Sequence, residues 1–264
     1  MPELPEVETV ARSLAPLVGR RIVSAEFRCL RILRGGDPDQ MAAQLAGRCI
    51  ASIRRYGKFI VVGLKPEGYL TVHLGMTGRI LLNGAPSKHT HAILTLDCGV
   101  LLYDDSRQFG RLQFSTSFPA RVSRLGPEPL EIPFEDFAAA LRRRKTRIKA
   151  LLLNQNFLRG IGNIYADESL FRAGIHPLAL AHRIRGDRAR KLYESIGAVL
   201  REAIAAGGSS ISDYVDAQGR QGFFQINHRV YQRTSEPCVN CGTPIRRTLV
   251  AQRSSHFCPR CQKR

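Results

Sequence analysis

The chain has 264 residues, 44% of them hydrophobic, with 14 Pro and 23 Gly, a balance that excludes disordered, collagen-like and low-complexity classes. Forty Lys and Arg against 22 Asp and Glu leave a formal charge of +18, which points to a polyanionic partner, nucleic acid before ribosomal, membrane-surface or acidic-protein ones. No run approaches the roughly 18 consecutive apolar residues that a membrane span needs.

The first ten residues carry acids where a signal peptide carries basic residues, so a cytoplasmic protein is expected. In that reducing compartment seven cysteines are free thiols or metal ligands, and their odd number excludes a fully paired disulfide framework. Val7, Val10, Ala11, Leu14, Leu17 and Val18 recur at helical spacing and predict a helix over 3–18. Glu3, Glu6 and Glu8 suit its first turn, Pro16 bends or shortens its last, and Gly19 stops it.

From Arg21 to Phe118 the texture is that of strands, with short apolar runs at Phe59–Leu64, Tyr69–Leu74, Arg79–Asn83, Ala92–Asp97 and Val100–Tyr103. Turn signals divide them, and such close spacing predicts an antiparallel sandwich or barrel. Cys29, Cys49 and Cys98 fall among these runs and are expected to be buried small hydrophobes. Residues 119–132, with Gly126-Pro127-Glu128-Pro129, read as a linker. Beyond it the period is helical, first around Phe134, Phe137 and Leu141, then from about Asp187 to Ala206, where Gly207-Gly208 ends the helix.

The last segment is a separate module, 231–264. Cys238 and Cys241 form one C-x2-C pair and Cys258 and Cys261 a second, sixteen residues on. Each short gap aims two sulfurs at one ion, and four thiolates select a single structural zinc in a closed site with no position for catalysis. Arg246, Arg247 and Arg253 lie between the pairs on a predicted hairpin, placed for solvent or for phosphate.

Pro2 follows a methionine that aminopeptidase removes ahead of small residues. The freed secondary amine titrates near ~7.7–8.0, so a neutral fraction exists without burial, and its attack on an aldehyde-like carbon gives an iminium. Taken alone, a Met-Pro start equally suits an inert N-terminus.

Pro2-Glu3-Leu4-Pro5-Glu6-Val7-Glu8, at the head of a basic chain that ends in four cysteines, closely resembles the formamidopyrimidine-DNA glycosylase (MutM) family. The likeness runs nearly end to end, through Gly57-Lys58-Phe59, His73-Leu74-Gly75-Met76-Thr77-Gly78, Lys88-His89-Thr90-His91 and Arg107-Gln108-Phe109-Gly110. It continues through Gly160 to Glu168 and Ala251-Gln252-Arg253. The resemblance implies an α+β protein: an N-terminal antiparallel β-sandwich with its helix (1–118), the linker, a helical helix–two-turn–helix domain (133–230), and a zinc-ribbon β-hairpin.

What the resemblance implies about function is bifunctional base excision repair. Pro2 attacks C1′ of an oxidised purine nucleotide, Glu3 shuttles protons, Lys58 stands by the lesion and its phosphate, and Arg253 grips phosphate during a second elimination. Met76, Arg107 and Phe109 fill the void left by the flipped nucleotide, and His73, His89, Arg144 and Asn163 contact DNA. Residues 209–225 form a polar lid over the lesion. The partner is double-stranded DNA with oxidised bases, no membrane is involved, and a monomer suffices.

Gln108 stands where a second Arg or Lys is usual, weakening one phosphate contact, and Asn154 stands where Asp is common, which puts local capping in doubt. The rival readings are an oxidised-pyrimidine enzyme of endonuclease VIII type, a non-catalytic zinc-ribbon DNA-binding protein, and an RNA or ribosome-associated factor. Leu4 and the Met76, Arg107, Phe109 set resemble the purine enzymes.

Overall fold

The structure, a computed structural model, describes residues 1–211 and 214–264. They form two compact units, Met1–Arg124 with Ala206–Phe223, and Leu125–Ala205 with Phe224–Arg264.

In the first unit α1 (Leu4–Ser13) ends five residues before the predicted stop. Pro16 has no N–H to donate, so the chain tightens into a 3-10 turn at Ala15–Leu17. There follow β1 (Ile22–Phe27), α2 (Pro38–Leu45), β2 (Cys49–Tyr56), β3 (Phe59–Lys65), β4 (Tyr69–His73), β5 (Arg79–Leu82), β6 (Thr90–Leu96), β7 (Gly99–Asp104), β8 (Arg111–Ser115) and α3 (Ala120–Ser123). Helix α2 interrupts the region expected to be all strand. Asp37 caps it, its carboxylate accepting from the N–H groups of Asp39 and Gln40, and Pro38 supplies a preset first turn.

The strands make two antiparallel sheets, β1-β6-β7-β5 and β2-β3-β4-β8, a sandwich and not a closed barrel. Alternate residues from both sheets, among them Ile60, Val62, Leu70, Val72, Leu94 and Leu96, share one core with Val7 and Val10 of α1 and with Leu14 just after it. Cys98 departs from the expectation of burial: it lies exposed in the β6–β7 turn, while Cys29 and Cys49 are half-buried.

The second unit holds α4 (Phe134–Arg142), α5 (Ile148–Leu153), α6 (Asn163–Ala173) and α7 (Gly186–Ala205), then the hairpin β9 (Arg246–Val250) and β10 (Arg253–Phe257). Helix α6 is buried on nearly all sides. Phe171 of α6 packs with Val230, Cys238, Ile245 and Cys258, so the cysteine segment shares a core with the helices and does not stand apart. The segment Ala206–Phe223, assigned from sequence to the helical domain, is likewise part of the first unit.

Candidate active site and nucleic-acid interface

Two buried acids, Glu3 and Glu6, stand at the head of α1. Pro2 is buried, Glu3 is 3% exposed, and Met1 projects at 44%. Glu6, buried at 2%, holds this head in place. One of its carboxylate oxygens accepts the backbone N–H of Glu3 at 2.8 Å, and the other accepts that of Ser209 at 2.7 Å. Gly208 stands at φ +84°, and a Cβ there would lie 2.8 Å from the Glu6 carboxylate, so this approach requires glycine. Tyr214 adds a hydroxyl to the Glu6 carbonyl.

Described residues of the segment expected to form a polar lid make further hydrogen bonds within the first unit. Ala217 donates to the Ser13 hydroxyl and accepts from the Leu82 N–H, and the Asp216 carboxylate closes a turn with Gln218 and Arg220. Two residues of that segment, Ser212 and Asp213, lie outside the described residues.

Lys58 is carried at the tip of the β2–β3 hairpin, where Gly57 at φ +60° opens a two-residue turn that demands glycine first. It is 8% exposed. Behind it, Arg55 pairs with Glu8 at 2.7 Å and fixes the hairpin to α1. His73 ends β4 with its ring tilted on Phe59 at 4.9 Å. Burial, then the positive charges of Lys58, Arg121 and Arg111, hold its imidazole down to about 4. Its Nδ1 accepts the Gly75 N–H, so the neutral ring carries its proton on Nε2, a donor suited to phosphate.

Met76 and Phe109 are exposed at 40% and 41%, and Arg107 lies 4.7 Å over the Phe109 ring. The three sit on two loops that touch: a Cβ at Gly75 would meet the Gly110 nitrogen at 2.5 Å. Asp105, fully buried, joins the loops. It accepts from the Thr77 hydroxyl at 2.5 Å and from the N–H groups of Gly110 at 2.7 Å and Arg107 at 3.3 Å. Its own N–H reaches the His89 carbonyl. Sequence reasoning passed over Asp105 and the Glu6–Ser209 contact; an acid between a buried strand and a loop was the available signal for the first. Gln108 takes a left-handed conformation, φ +55°, and its carbonyl accepts from Arg111.

In the second unit Arg144 is exposed just past α4, and Asn163 opens α6. The Asn163 side-chain oxygen is buried without a hydrogen-bond partner among the described residues. The turn before it is braced by Gln155, which donates to the carbonyls of Leu153 and Ile161 and accepts the Gly160 N–H. Asn154 accepts from the Asn156 N–H, so it performs the turn closure for which Asp is common. Glu168 accepts three backbone N–H groups, from Arg229, Val230 and Tyr231, which fixes the entry to the cysteine module. Arg246, Arg247 and Arg253 are all exposed, Arg253 directly after a two-residue turn with both residues left-handed.

The Cys238, Cys241, Cys258 and Cys261 sulfurs lie within 4.8 Å of one another, with separations of 3.9, 3.5 and 3.4 Å along three edges. A tetrahedron of zinc–sulfur bonds of about 2.3 Å has edges of about 3.8 Å. The four thiols fit such an ion.

Family models for the formamidopyrimidine-DNA glycosylase N-terminal domain, the formamidopyrimidine-DNA glycosylase H2TH domain and the zinc finger found in FPG and IleRS match residues 1–112, 125–215 and 235–264. A formamidopyrimidine-DNA glycosylase of Solibacter usitatus is 74% identical over 264 residues, the whole of both chains. The crystal structure of the MutM (FPG) protein from Thermus thermophilus is similar with a TM-score of 0.90 at 42% identity, covering 99% of this chain and 98% of that one. A Lactococcus lactis FPG mutant in complex with Fapy-dG containing DNA is similar with a TM-score of 0.92 at 36% identity, both chains fully covered.

Fold and matches together define a DNA glycosylase. The chain belongs to the formamidopyrimidine-DNA glycosylase family, also called MutM.

Proposed function

We propose that this glycosylase removes oxidised purines, 8-oxoguanine and formamidopyrimidines, from duplex DNA and then cuts the strand as an AP lyase. The observation that carries the reading is Pro2 buried beside Glu3 at a helix head held by Glu6. Once Met1 is removed, the Pro2 nitrogen attacks C1′ of the flipped nucleotide. The C1′–N9 bond breaks and its electron pair leaves with the base, which takes up a proton. Glu3 delivers a proton to the sugar ring oxygen as the ring opens, leaving an iminium between Pro2 and C1′.

That cation acidifies C2′–H. Loss of the proton expels the 3′ phosphate, and loss of the C4′ proton expels the 5′ phosphate. Water then hydrolyses the iminium and frees the amine. Lys58 and the Nε2–H of His73 hold phosphate at the lesion, and Met76, Arg107 and Phe109 occupy the vacated stack, with Arg107 donating to the orphaned base. His89, Arg144 and Asn163 grip the backbone, and Arg253 grips a phosphate through the second elimination. One zinc on Cys238, Cys241, Cys258 and Cys261 supplies folding energy to the hairpin and no chemistry. The enzyme acts as a monomer on DNA in the bacterial cytoplasm.

The test is single-turnover cleavage of duplexes with 8-oxoguanine opposite cytosine and with thymine glycol. Faster 8-oxoguanine cleavage to a gap with phosphates at both ends supports the reading. Faster thymine-glycol cleavage would transfer the enzyme to the endonuclease VIII type, and binding without cleavage would make it a non-catalytic module.

A further inference from the structure

The second unit contains a buried ion pair that the chemistry above does not use. Lys149 of α5 is fully buried, and its Nζ lies 2.6 Å from Asp167 Oδ1 of α6, itself 1% exposed. The same Nζ donates to the Ser254 carbonyl at 2.9 Å. The other Asp167 oxygen accepts the His256 N–H at 3.0 Å and faces His256 Nδ1 at 3.1 Å. Ser254 and His256 stand one and three residues past Arg253 on β10. Helices α5 and α6 flank the turn that leads to Asn163.

A buried ion pair is a poor device for stability, since apolar residues of similar volume are often as good or better. Its use lies in direction: charged groups aimed at backbone atoms fix where a strand runs whatever its side chains are. We infer that Lys149 and Asp167 are positioning residues for strand cleavage, joining the hairpin that presents Arg253 to the turn that presents Asn163. The inference rests on the proposed role of Arg253. Because β10 is held at Ser254 and His256, release of the pair shifts Arg253, and a shift of about 1 Å at a reacting centre can cost about 100-fold.

The test compares full-length, zinc-loaded Lys149→Met/Asp167→Leu and Asp167→Asn with Arg253→Ala and the parent chain, on a duplex holding a preformed abasic site. Zinc per chain, borohydride trapping and the ratio of second-elimination to first-elimination product are measured. The expected result is unchanged zinc in all variants and unchanged trapping in Asp167→Asn, with the ratio reduced tenfold or more in the double variant, matching Arg253→Ala, and partly reduced in Asp167→Asn. A parental ratio in the double variant or in Asp167→Asn, beside a reduced one in Arg253→Ala, overturns the inference while the Arg253 reading stands. A parental ratio in Arg253→Ala overturns both. Loss of zinc from the double variant and from Asp167→Asn makes the pair a folding element and also overturns it.

Discussion

The Asp105 carboxylate accepts the Thr77 hydroxyl at 2.5 Å, and this contact binds the loop bearing Met76 to the loop bearing Arg107 and Phe109. The proposed wedge needs such a joint, because Met76 lies on one loop and Arg107 and Phe109 on the other. Asp105→Ala takes the acceptor from the Thr77 hydroxyl and from the buried Gly110 N–H, a loss of about 2–4 kcal/mol in unfolding free energy. Excision from duplex 8-oxoguanine DNA is expected to fall at least tenfold, while lyase action on a single-stranded abasic site, which needs no wedge, stays within about threefold. Equal losses on both substrates would show that Asp105 does not serve the wedge.

Gly208 is the second sensitive point. Its positive φ and the 2.8 Å approach to the Glu6 carboxylate leave no room for a methyl group. Gly208→Ala is expected to cost about 1–3 kcal/mol and to slow excision, because displacing Glu6 also releases the Glu3 N–H beside Pro2. Chemical denaturation with single-turnover kinetics checks both effects. A variant that keeps parental stability and rate would show that the Glu6–Ser209 contact is dispensable.

The pH dependence follows from His73 and His228. Both imidazoles are depressed from 6.5 to about 4, His73 by burial and neighbouring cations and His228 by burial. The unfolded chain binds these protons first, so their contribution is fully present above pH 6.5 and is lost as pH falls toward 4. His73 accounts for about 2–3 kcal/mol across that window. His73→Gln, which keeps a donor, should flatten the stability profile between pH 6.5 and 4 and retain most DNA affinity at pH 7.5. An unchanged slope contradicts the assignment.

Metal removal acts on the second unit, which holds the four cysteines. Chelation, or Cys258→Ser, is expected to melt the β9–β10 hairpin and weaken duplex binding by about 100-fold or more, since the hairpin has too little apolar core to fold without the ion. Hydrogen exchange should show protection lost over residues 235–264 and kept in β3 and β6. A metal-free chain that binds DNA normally would leave zinc without the proposed role.

Much of this was legible in the sequence. Cys238, Cys241, Cys258 and Cys261 announce themselves by spacing, and Pro2 with Glu3 stand out as candidates by position and family likeness, because both signals are local. The joints were not. Asp105 meets Thr77 across 28 residues and Ser209 meets Glu6 across 203, distances over which a single sequence carries no periodicity. Likewise α1 reads as continuous to Val18 because its apolar spacing runs on after Pro16 has ended the hydrogen bonding. Cys98 reads as core from its neighbours, but a hairpin turn places it in solvent.

The central claim is that the Pro2 amine is the nucleophile, and one measurement addresses it most directly. The processed chain and a chain that retains Met1 are each reduced with borohydride on duplex DNA holding 8-oxoguanine opposite cytosine, and the cross-linked peptide is mapped by mass spectrometry. The account predicts an adduct on Pro2 in the processed chain and none in the chain that keeps Met1. An adduct on Lys58, or equal trapping of both chains, would contradict it.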